Sequence, residues 1–530
     1  MKPGSSGSYD VPRLVLLLVI LLAFGLRLYH LDYQSLWRDE VDALLFARQG
    51  LAELLPLFST PGHNGPLYFA MLHFWTRLAG DTEFALRFQS LVCGVLAVPA
   101  VYVLGRRWVG RMGSLVAALL CATSPYLIWY SQEGKMYALL FLLSALSTYV
   151  YLLALERDRA YLWGSYVLLA AASMYVHLLA VLVIPFHFLL FFVAWPRYRM
   201  AWRGWLATFI LLSLPYLPLF RWEVALLIRP FTTGHQFYWL HEILAILLFV
   251  FSLNAAPHQN LLAISLFVFL LLAGLLLYVR QTPPDAGVSL REVWLNRRNS
   301  IILGLYLFVP TVCLFIISLG MPIFTDRYLI TVVPAFLLLL SAGVMAVRER
   351  ETLLASLCVG LVLLSNLYVA VLQANTPIKS DFRSAARFVA GDGRGDLMVF
   401  LIPNGRPVFD YYYEDELRWV DAPYTNRGLG PRGVAREMET ATLGHQQVWL
   451  IVTEPELWDS RSLVEEWFAA NGMLQARGEF ARVEVFLYAL APVDDGVTGA
   501  PLVELCEVRS AGTVQACSLG KVEVSASRAL

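Results

Sequence analysis

Long apolar stretches separated by short polar loops fill the chain up to about residue 372. A membrane-spanning helix needs roughly 20 mostly apolar residues, and the pattern predicts about eleven such segments. They lie at residues 11–31, 84–104, 113–129, 136–155, 161–176, 178–194, 205–220, 261–278, 301–319, 328–347 and 353–372. A further apolar stretch, residues 241–253, is too short to cross a bilayer, so we expect a re-entrant or interfacial helix there.

The pattern changes after about residue 373. Apolar runs typical of buried strands (LMVFLI, QVWLIVT and ARVEVFLYAL) alternate with helical segments (DFRSAARFVAGDG, GVAREMETATLG and SRSLVEEWFAANG). Such alternation predicts a small open α/β sheet. We therefore predict a polytopic α-helical membrane domain at residues 1–372, with a first long loop at residues 32–83, followed by an α/β domain and tail at residues 373–530.

Composition and charge agree with a membrane protein and exclude other classes. The chain is 58% hydrophobic and 15% charged, with a mean hydropathy of +0.61, which is unlike a soluble protein. Its formal net charge is zero, so nothing indicates a nucleic-acid partner. Arginines concentrate in alternate short loops, which is typical of the cytoplasmic side of a cell membrane. This predicts a multi-pass protein with a cytoplasmic N-terminus, an external loop 32–83 and an external α/β domain.

Three carboxylates closely follow the first apolar segment, in the sequence SLWRDEVD. Asp39, Glu40 and Asp42 are costly beside a bilayer unless they face a cavity or a partner, so they are candidates for proton chemistry. On a helix, Asp39 and Asp42 share a face, whereas the side chains of Asp39 and Glu40 point about 100° apart. The alternative is a solvated helix N-terminus, where the helix dipole favours acidic residues.

Other unusual polar residues fall in loops on the same predicted side of the membrane. They are His63 in the first loop, Glu133 and Lys135 in the second, and Arg327 and Tyr328 in the last. The cationic side chains suit an anionic lipid head group, and the carboxylates suit proton transfer. Arg27, near the end of the first segment, is a candidate partner for an acidic loop residue. By ligand type, Asp39, Glu133 and His63 also leave open a divalent metal site, and no other cofactor is indicated.

Four motifs, in order, resemble a known family. SLWRDE follows a first segment ending in LRLYHLDYQ, and HNGPLYFAMLHFW, SQEGKMYALL and DRYLITVVPAFLLLL come later in the chain. This arrangement, over residues 12–372, resembles the polytopic glycosyltransferases of the GT-C fold known as glycosyltransferase family 39. They include the protein O-mannosyltransferases and the lipid A aminoarabinose transferases.

The resemblance implies a polyprenyl-phosphate-linked sugar as donor, used on the outer face of the membrane. The acceptor would be a protein, a lipid or a glycan. The resemblance also implies that the Asp39–Glu40 pair is catalytic, with Asp39 as general base toward the acceptor hydroxyl. Arg327 and Lys135 would neutralise the phosphate of the leaving group, although the family usually carries an arginine in the segment where this chain has Lys135.

Two other classes are open from sequence. A transporter or flippase of lipid-linked sugars would use the same charged loops to bind without chemistry, but transporters more often show matched halves or paired broken helices. A structural membrane subunit with an external interaction domain would leave the clustered charges without a role. We expect an enzyme, with His63, Glu133, Tyr328 and Asp42 binding substrate.

Overall fold

The computed structural model describes residues 10–54, 56, 65–228, 234–254, 261–276 and 290–490, together with the short segments 504–505, 507–508 and 518–519. The chain divides into two compact units. The first unit combines Met1–Leu31 with Ala43–Asn375, and the second combines Asp32–Asp42 with Thr376–Leu530. Residues 32–42, which we predicted as part of the membrane domain, are therefore grouped with the C-terminal part of the chain.

The first unit is helical. Its helices are α1 (Asp10–Leu28), α2 (Arg38–Arg48, which begins in the second unit), α3 (Leu51–Leu54), α4 (Pro66–Ala79), α5 (Glu83–Gly105), α6 (Gly110–Thr123), α7 (Pro125–Ser131), α8 (Tyr137–Arg157), α9 (Ala160–Val176), α10 (Val183–Val193), α11 (Trp195–Tyr198), α12 (Trp202–Ile228), α13 (Leu240–Leu253), α14 (Leu261–Leu276), α15 (Leu290–Gly320), α16 (Val333–Arg348) and α17 (Thr352–Asn375). Short 3₁₀ helices occupy Leu178–Leu182, Arg199–Ala201 and Asp326–Val332.

Helices occupy most of the described residues in each apolar segment predicted from sequence. Among the described residues, six helical segments are long and apolar enough to cross a membrane, and the bent pair of α6 and α7 raises the number to seven. The helices α9 and α14 and the segment Leu178–Val193 are apolar but shorter. α13 has fourteen residues, as expected for the short helix predicted at residues 241–253. The prediction of a polytopic helical membrane protein is thus confirmed.

The apolar segment made of α6 and α7 bends by 56° at Ser124. Pro125 has no backbone N–H, and its ring disfavours a helical conformation at the preceding residue, so Ser124 takes φ −57° and ψ 118°. The hydroxyl of Ser124 then accepts a hydrogen bond from the N–H of Leu127 at 3.4 Å and caps the start of α7. Because the helix is interrupted here, the last carbonyl groups of α6 need partners from elsewhere.

The helix α16 lies in the interior of the first unit, and nearly all its residues are buried. It packs against α14 with the two backbones in close approach. A Cβ atom on Gly274 would lie 2.2 Å from the carbonyl oxygen of Leu339, and one on Gly343 would lie 2.0 Å from that of Leu270. Only glycine permits this distance. Close backbone packing matters between membrane helices because lipid offers them no hydrophobic driving force for association.

The second unit contains a mixed sheet with helices on it. Its strands are β1 (Leu397–Phe400), β2 (Arg418–Asp421), β3 (Gln447–Val452), β4 (Gly472–Phe480), β5 (Val483–Leu490), β6 (Glu504–Leu505), β7 (Glu507–Val508) and β8 (Ser518–Leu519), and its helices are α18 (Phe382–Asp392), α19 (Arg406–Tyr412), α20 (Pro431–Ala441), α21 (Pro455–Trp458) and α22 (Leu463–Asn471). The main sheet has the order β2-β1-β3-β5-β4-β7. β1 is parallel to β2 and β3, whereas β5 is antiparallel to β3 and β4.

Helices cover both faces of this sheet. On one face, Val399 and Leu450 belong to a buried cluster with residues of α20 and α22. On the other face, Phe388 of α18 meets Trp449 edge to face, with the ring centroids 5.8 Å apart. β1 and β3 are therefore buried on both sides, which explains why their sequences are continuously apolar. The predicted α/β sheet is confirmed, with β1, β3 and β5 and the helices α18, α20 and α22 where we expected them.

Between residues 376 and 490, sequence analysis missed the helices α19 and α21 and the strands β2 and β4. β2, with the sequence RWVD, is a largely exposed strand at the sheet edge, so it needs little apolar character. β4, with the sequence GMLQARGEF, contains two glycines and several polar residues, and it pairs with β5 through a register shift between Leu474 and Ala476. Neither strand has the alternation that identifies a strand from sequence.

Candidate functional site

Glu40 lies in the first turn of α2, and its side chain is fully buried. A carboxylate removed from water needs a cation or hydrogen-bond donors, and the Nζ of Lys379 lies 2.9 Å from Glu40 Oε2. Lys379 is itself buried, and its Nζ lies 5.6 Å from the centroid of the Trp37 ring. Glu40 is thus half of a buried ion pair within the second unit. Sequence analysis missed Lys379 because 339 positions separate the partners and no motif marks the lysine.

The segment that leads into α2 is hydrogen-bonded to the C-terminal part of the second unit. The side-chain amide of Gln34 accepts from two N–H groups and donates to one carbonyl group of residues 376–379, at 2.7–3.2 Å. Arg383 donates to the carbonyl groups of Asp32 at 2.7 Å and of Gln34 at 3.3 Å. These bonds hold the backbone a few residues before Asp39, so α2 starts from a fixed point within this unit.

Asp39 and Asp42 are only partly buried, in contrast to Glu40. Asp42 forms an ion pair with Arg38 one turn earlier, with 3.4 Å between Arg38 Nε and Asp42 Oδ2. The difference in burial follows from helix geometry, because consecutive side chains point about 100° apart. Of the two acidic residues in the first turn of α2, Asp39 is therefore the one that keeps access to solvent.

Arg27 of α1 is fully buried beside the bend between α6 and α7. Its guanidinium donates hydrogen bonds to the carbonyl groups of Cys121 at 3.1 Å and Ala122 at 2.9 Å, and to the hydroxyl of Ser131 at 3.1 Å. The two carbonyl groups belong to the last turn of α6, where the helix is interrupted. Arg27 therefore stabilises the bend, and our expectation that it pairs with an acidic loop residue was wrong.

Gly94 of α5 lies against this network, and we expect Gly94→Ala to destabilise it. A Cβ atom there would lie 2.0 Å from Ser131 Oγ and 3.0 Å from Arg27 Nε. The clash should lower the free energy of unfolding by about 1–3 kcal/mol, the usual cost of overpacking. A thermal melt of the detergent-purified protein measures the effect. Gly25→Ala is the control, because a Cβ atom at Gly25 has no neighbour within 4 Å. Equal melting temperatures of the two variants would contradict the prediction.

The 3₁₀ helix Asp326–Val332 begins with a hydrogen-bonded aspartate. The hydroxyl of Tyr130 donates to Asp326 Oδ2 at 3.0 Å, and the hydroxyl of Tyr126 donates to the Asp326 carbonyl oxygen at 3.3 Å. Both tyrosines belong to α7. The bend at Ser124 sets the direction of α7. The two tyrosines of α7 therefore reach Asp326 and hold the start of the 3₁₀ helix Asp326–Val332.

Arg327, the next residue, lies among aromatic rings. Its Cζ lies 5.6 Å from the ring centroid of Tyr137 and 6.0 Å from that of Tyr328. The ring of His177, in the break between α9 and the following 3₁₀ helix, packs 4.9 Å from Tyr328. Burial, with the positive charges of Arg327 and Lys135, lowers the pKa of His177 to about 3. The imidazole is therefore neutral at pH 7, and the arginine and the lysine supply the local positive charge.

Glu133 and Lys135 are buried in the loop between α7 and α8. Ser90 of α5 donates a hydrogen bond to the carbonyl group of Lys135 at 3.1 Å. Gly134 allows close contact with Leu86, because a Cβ atom on this glycine would lie 2.6 Å from Leu86 Cγ. Two buried ionisable side chains in one loop are costly, which makes the loop a candidate for ligand binding.

We name a group of first-unit residues the Arg327 cluster: Lys135, Tyr137, His177, Asp326, Arg327 and Tyr328. Sequence analysis had selected Lys135, Arg327 and Tyr328, which the structure brings together. Tyr137 and His177 were not among the sequence candidates, because aromatic and histidine side chains beside apolar segments usually pack in a core.

His63 lies outside the described residues, so the structure gives no account of its place or of the metal set that included it. Among the described residues, no group of three His, Cys, Asp or Glu side chains is arranged so that it could hold a metal ion.

Known proteins share this architecture. Residues 63–222 match the model of a family described as dolichyl-phosphate-mannose-protein mannosyltransferase. The crystal structure of ArnT from Cupriavidus metallidurans bound to undecaprenyl phosphate aligns with a TM-score of 0.54 at 12% identity, over 91% of this chain and 98% of that chain. The apo state of ArnT gives 0.56 at 12% identity, over 89% and 97%. The apo oligosaccharyltransferase of Archaeoglobus fulgidus gives 0.53 at 12% identity, over 93% and 76%. A comparison with curated protein sequences gives no match.

At this identity the likeness to solved structures shows the fold, which is the GT-C fold. The family match, which covers residues 63–222, agrees with this fold. The GT-C fold that the four sequence motifs led us to expect is thereby confirmed.

Proposed function

We propose that the protein transfers a sugar from a polyprenyl-phosphate-linked donor to an acceptor at the outer face of the cell membrane. The observation that carries this proposal is the Arg327 cluster, where an arginine and a buried lysine supply positive charge beside a neutral histidine. A lipid phosphate is the anion available to such a site at a membrane. The match to a mannosyltransferase family and the likeness to ArnT bound to undecaprenyl phosphate support the same donor class.

The reaction needs a base and a stabilised leaving group. The acceptor hydroxyl attacks the anomeric carbon, its proton passes to Asp39, and the bond between that carbon and the phosphate oxygen breaks. The electron pair remains on the phosphate, which Arg327 holds through a bidentate contact and Lys135 through its point charge. Tyr328 and Glu133 are our candidates for binding the rest of the donor.

Asp39 and Glu40 take different roles in this proposal, and the burial of Glu40 is the reason. The Glu40 carboxylate is fully buried against Lys379, so proton transfer with an acceptor would require breaking an ion pair away from water. Asp39, in the first turn of α2, is only partly buried and keeps access to solvent. We therefore assign Asp39 as the base and Glu40 as the residue that anchors its helix, while Asp42 and His63 stay candidates for binding the acceptor.

The proposal is tested by incubating the purified protein with undecaprenyl-phosphate-linked sugars and extracts of envelope lipids, glycans and proteins. Mass spectrometry of the products then identifies the acceptor class. The expected result is a glycosylated acceptor together with released undecaprenyl phosphate. Movement of intact donor across reconstituted vesicles with no product formed would instead identify a flippase and contradict the proposal.

Two variants of Arg327 distinguish the contribution of its bidentate hydrogen bonding from that of its positive charge. We expect Arg327→Ala to lower turnover by about 10²-fold or more, since charge-assisted hydrogen bonds are worth roughly 1.5–3 kcal/mol each. Arg327→Lys should recover only part of this loss, because an ammonium cannot form the bidentate contact. Donor titrations and turnover measurements with a long-chain donor check both values. The control is Arg77→Ala, at an exposed arginine of α4. Normal donor affinity and turnover in folded Arg327→Ala would exclude Arg327 from the site.

A further inference from the structure

A small polar cavity with a volume of about 20 Å³ lies at the end of the helix bundle where α5, α8 and α10 finish. We name it the arginine cavity. Its polar lining consists of Arg107, Glu156, Arg197, Tyr198, Arg298 and Asn299. Neither the proposed transfer reaction nor the Arg327 cluster gives these residues a role.

Arginines outnumber carboxylates among the described residues that line the arginine cavity. Glu156 forms ion pairs with Arg107 and, at 3.3 Å, with Arg197. Arg298 is a third guanidinium in the lining. Among the described residues, the lining therefore holds three arginines and one carboxylate. Arginines that only anchor a helix at the membrane surface extend separately toward water, whereas these three converge on one space.

The hydroxyl of Tyr198 lies among the charged side chains of the arginine cavity. Its side chain is buried, and burial is the main cause that raises the pKa of its hydroxyl. The charges of Arg197, Glu156, Arg298 and Arg107 all act on this hydroxyl as well. The four charged groups line the same cavity as this buried phenol, which can donate a hydrogen bond to an anion there.

The cavity lies about one membrane thickness from the Arg327 cluster. Both are in contact with α8, which begins at Tyr137 and has Glu156 in its last turn. At 1.5 Å per residue, the roughly 19 positions between these residues span about 28 Å, close to the thickness of a bilayer's hydrocarbon core. Trp195 and Trp202 are about half exposed near the cavity, as is typical of the membrane–water interface.

We propose that the arginine cavity binds the phosphate group of an anionic lipid from the membrane leaflet opposite the Arg327 cluster. Arginine forks match phosphate oxygens bidentately, and basic pockets between membrane helices suit phospholipid head groups. The side chain of Arg197 is 51% exposed, so the cavity has an open side. The exposed tryptophans beside it place this opening at the level of lipid head groups, which favours a lipid over a soluble phosphate. The inference does not depend on which donor or acceptor the enzyme uses.

Lipid binding by the full-length protein in nanodiscs tests this proposal. Nanodiscs of phosphatidylcholine are doped with phosphatidylglycerol, and native mass spectrometry counts the retained lipids. The wild-type protein should retain phosphatidylglycerol. Arg298→Gln and Arg197→Gln should each weaken retention about tenfold, which is roughly the effect of losing one charge-assisted contact. Glu156→Gln should strengthen retention, because it removes the competing carboxylate. Opposite effects at neighbouring positions distinguish a binding site from a loss of folding.

The control is Arg203→Gln, an exposed arginine that does not line the cavity and whose Cζ lies 5.6 Å from the Trp202 ring centroid. It should retain lipid as the wild type does. Equal retention by wild type and all three cavity variants, or an equal loss in Arg203→Gln, would overturn the proposal. A separate thermal melt with inorganic phosphate tests whether the cavity binds a soluble phosphate instead of a lipid. If phosphate stabilises the wild type but not Arg298→Gln, while phosphatidylglycerol is not retained, the lipid assignment is wrong.

Discussion

Asp39→Asn should bind the lipid-linked donor normally and lower the transfer rate by about 10²–10⁴-fold, the usual contribution of a positioned general base. Asparagine preserves the size of the side chain and most of its hydrogen bonds, but it cannot accept a proton from the acceptor hydroxyl. A carboxylate that is merely solvated would change stability by less than about 1 kcal/mol and leave turnover unchanged.

The Asp39 measurement combines three readouts from one preparation: the rate with saturating donor, donor affinity and the melting temperature. The matched control is Asp32→Asn, an exposed aspartate of the same unit a few residues earlier. Near-wild-type turnover in Asp39→Asn would remove Asp39 as the base. A fall in both variants would indicate a general requirement for charge rather than a specific base.

Lys379→Met should destabilise the second unit by about 3–5 kcal/mol, because it leaves Glu40 buried without its cation. Methionine has a similar length and retains most of the apolar contact of the lysine stem. Transfer activity should fall as well, since α2 would no longer be anchored at the turn that contains Asp39. Chemical denaturation monitored by tryptophan fluorescence measures the loss, helped by the position of Trp37 near the pair.

The double variant Glu40→Gln with Lys379→Met tests whether the loss of stability comes from the buried charge of Glu40. Removing both charges eliminates the unpaired carboxylate, so much of the lost stability should return. Arg394→Met is the control for an ordinary ion pair, because Arg394 is about half exposed beside Asp392 and its loss should cost less than about 1 kcal/mol. If Lys379→Met costs no more than Arg394→Met, the buried pair does not hold α2 in place.

Local patterns of the sequence determined the class of this protein. Apolar runs located the helices of the first unit because a bilayer demands length and hydrophobicity from each spanning segment. Runs such as LMVFLI and QVWLIVT identified β1 and β3 because strands buried on both faces are continuously apolar. Motifs such as SLWRDE gave the resemblance to GT-C enzymes. Helical spacing alone predicted that the side chains of Asp39 and Glu40 point in different directions.

Only the tertiary structure determined the partners of the charged residues. Lys379 beside Glu40, and Arg27 on the carbonyl groups of Cys121 and Ala122, join positions far apart in the chain. His177 has an ordinary sequence context, yet it packs against Tyr328 beside Arg327. The physical reason is that hydrophobic periodicity depends on neighbours within a turn or two, whereas an ion pair depends on how distant segments pack. The sequence therefore determined where the chain is helical and that it is a polytopic membrane protein with an α/β domain. Packing determined which charged side chains meet.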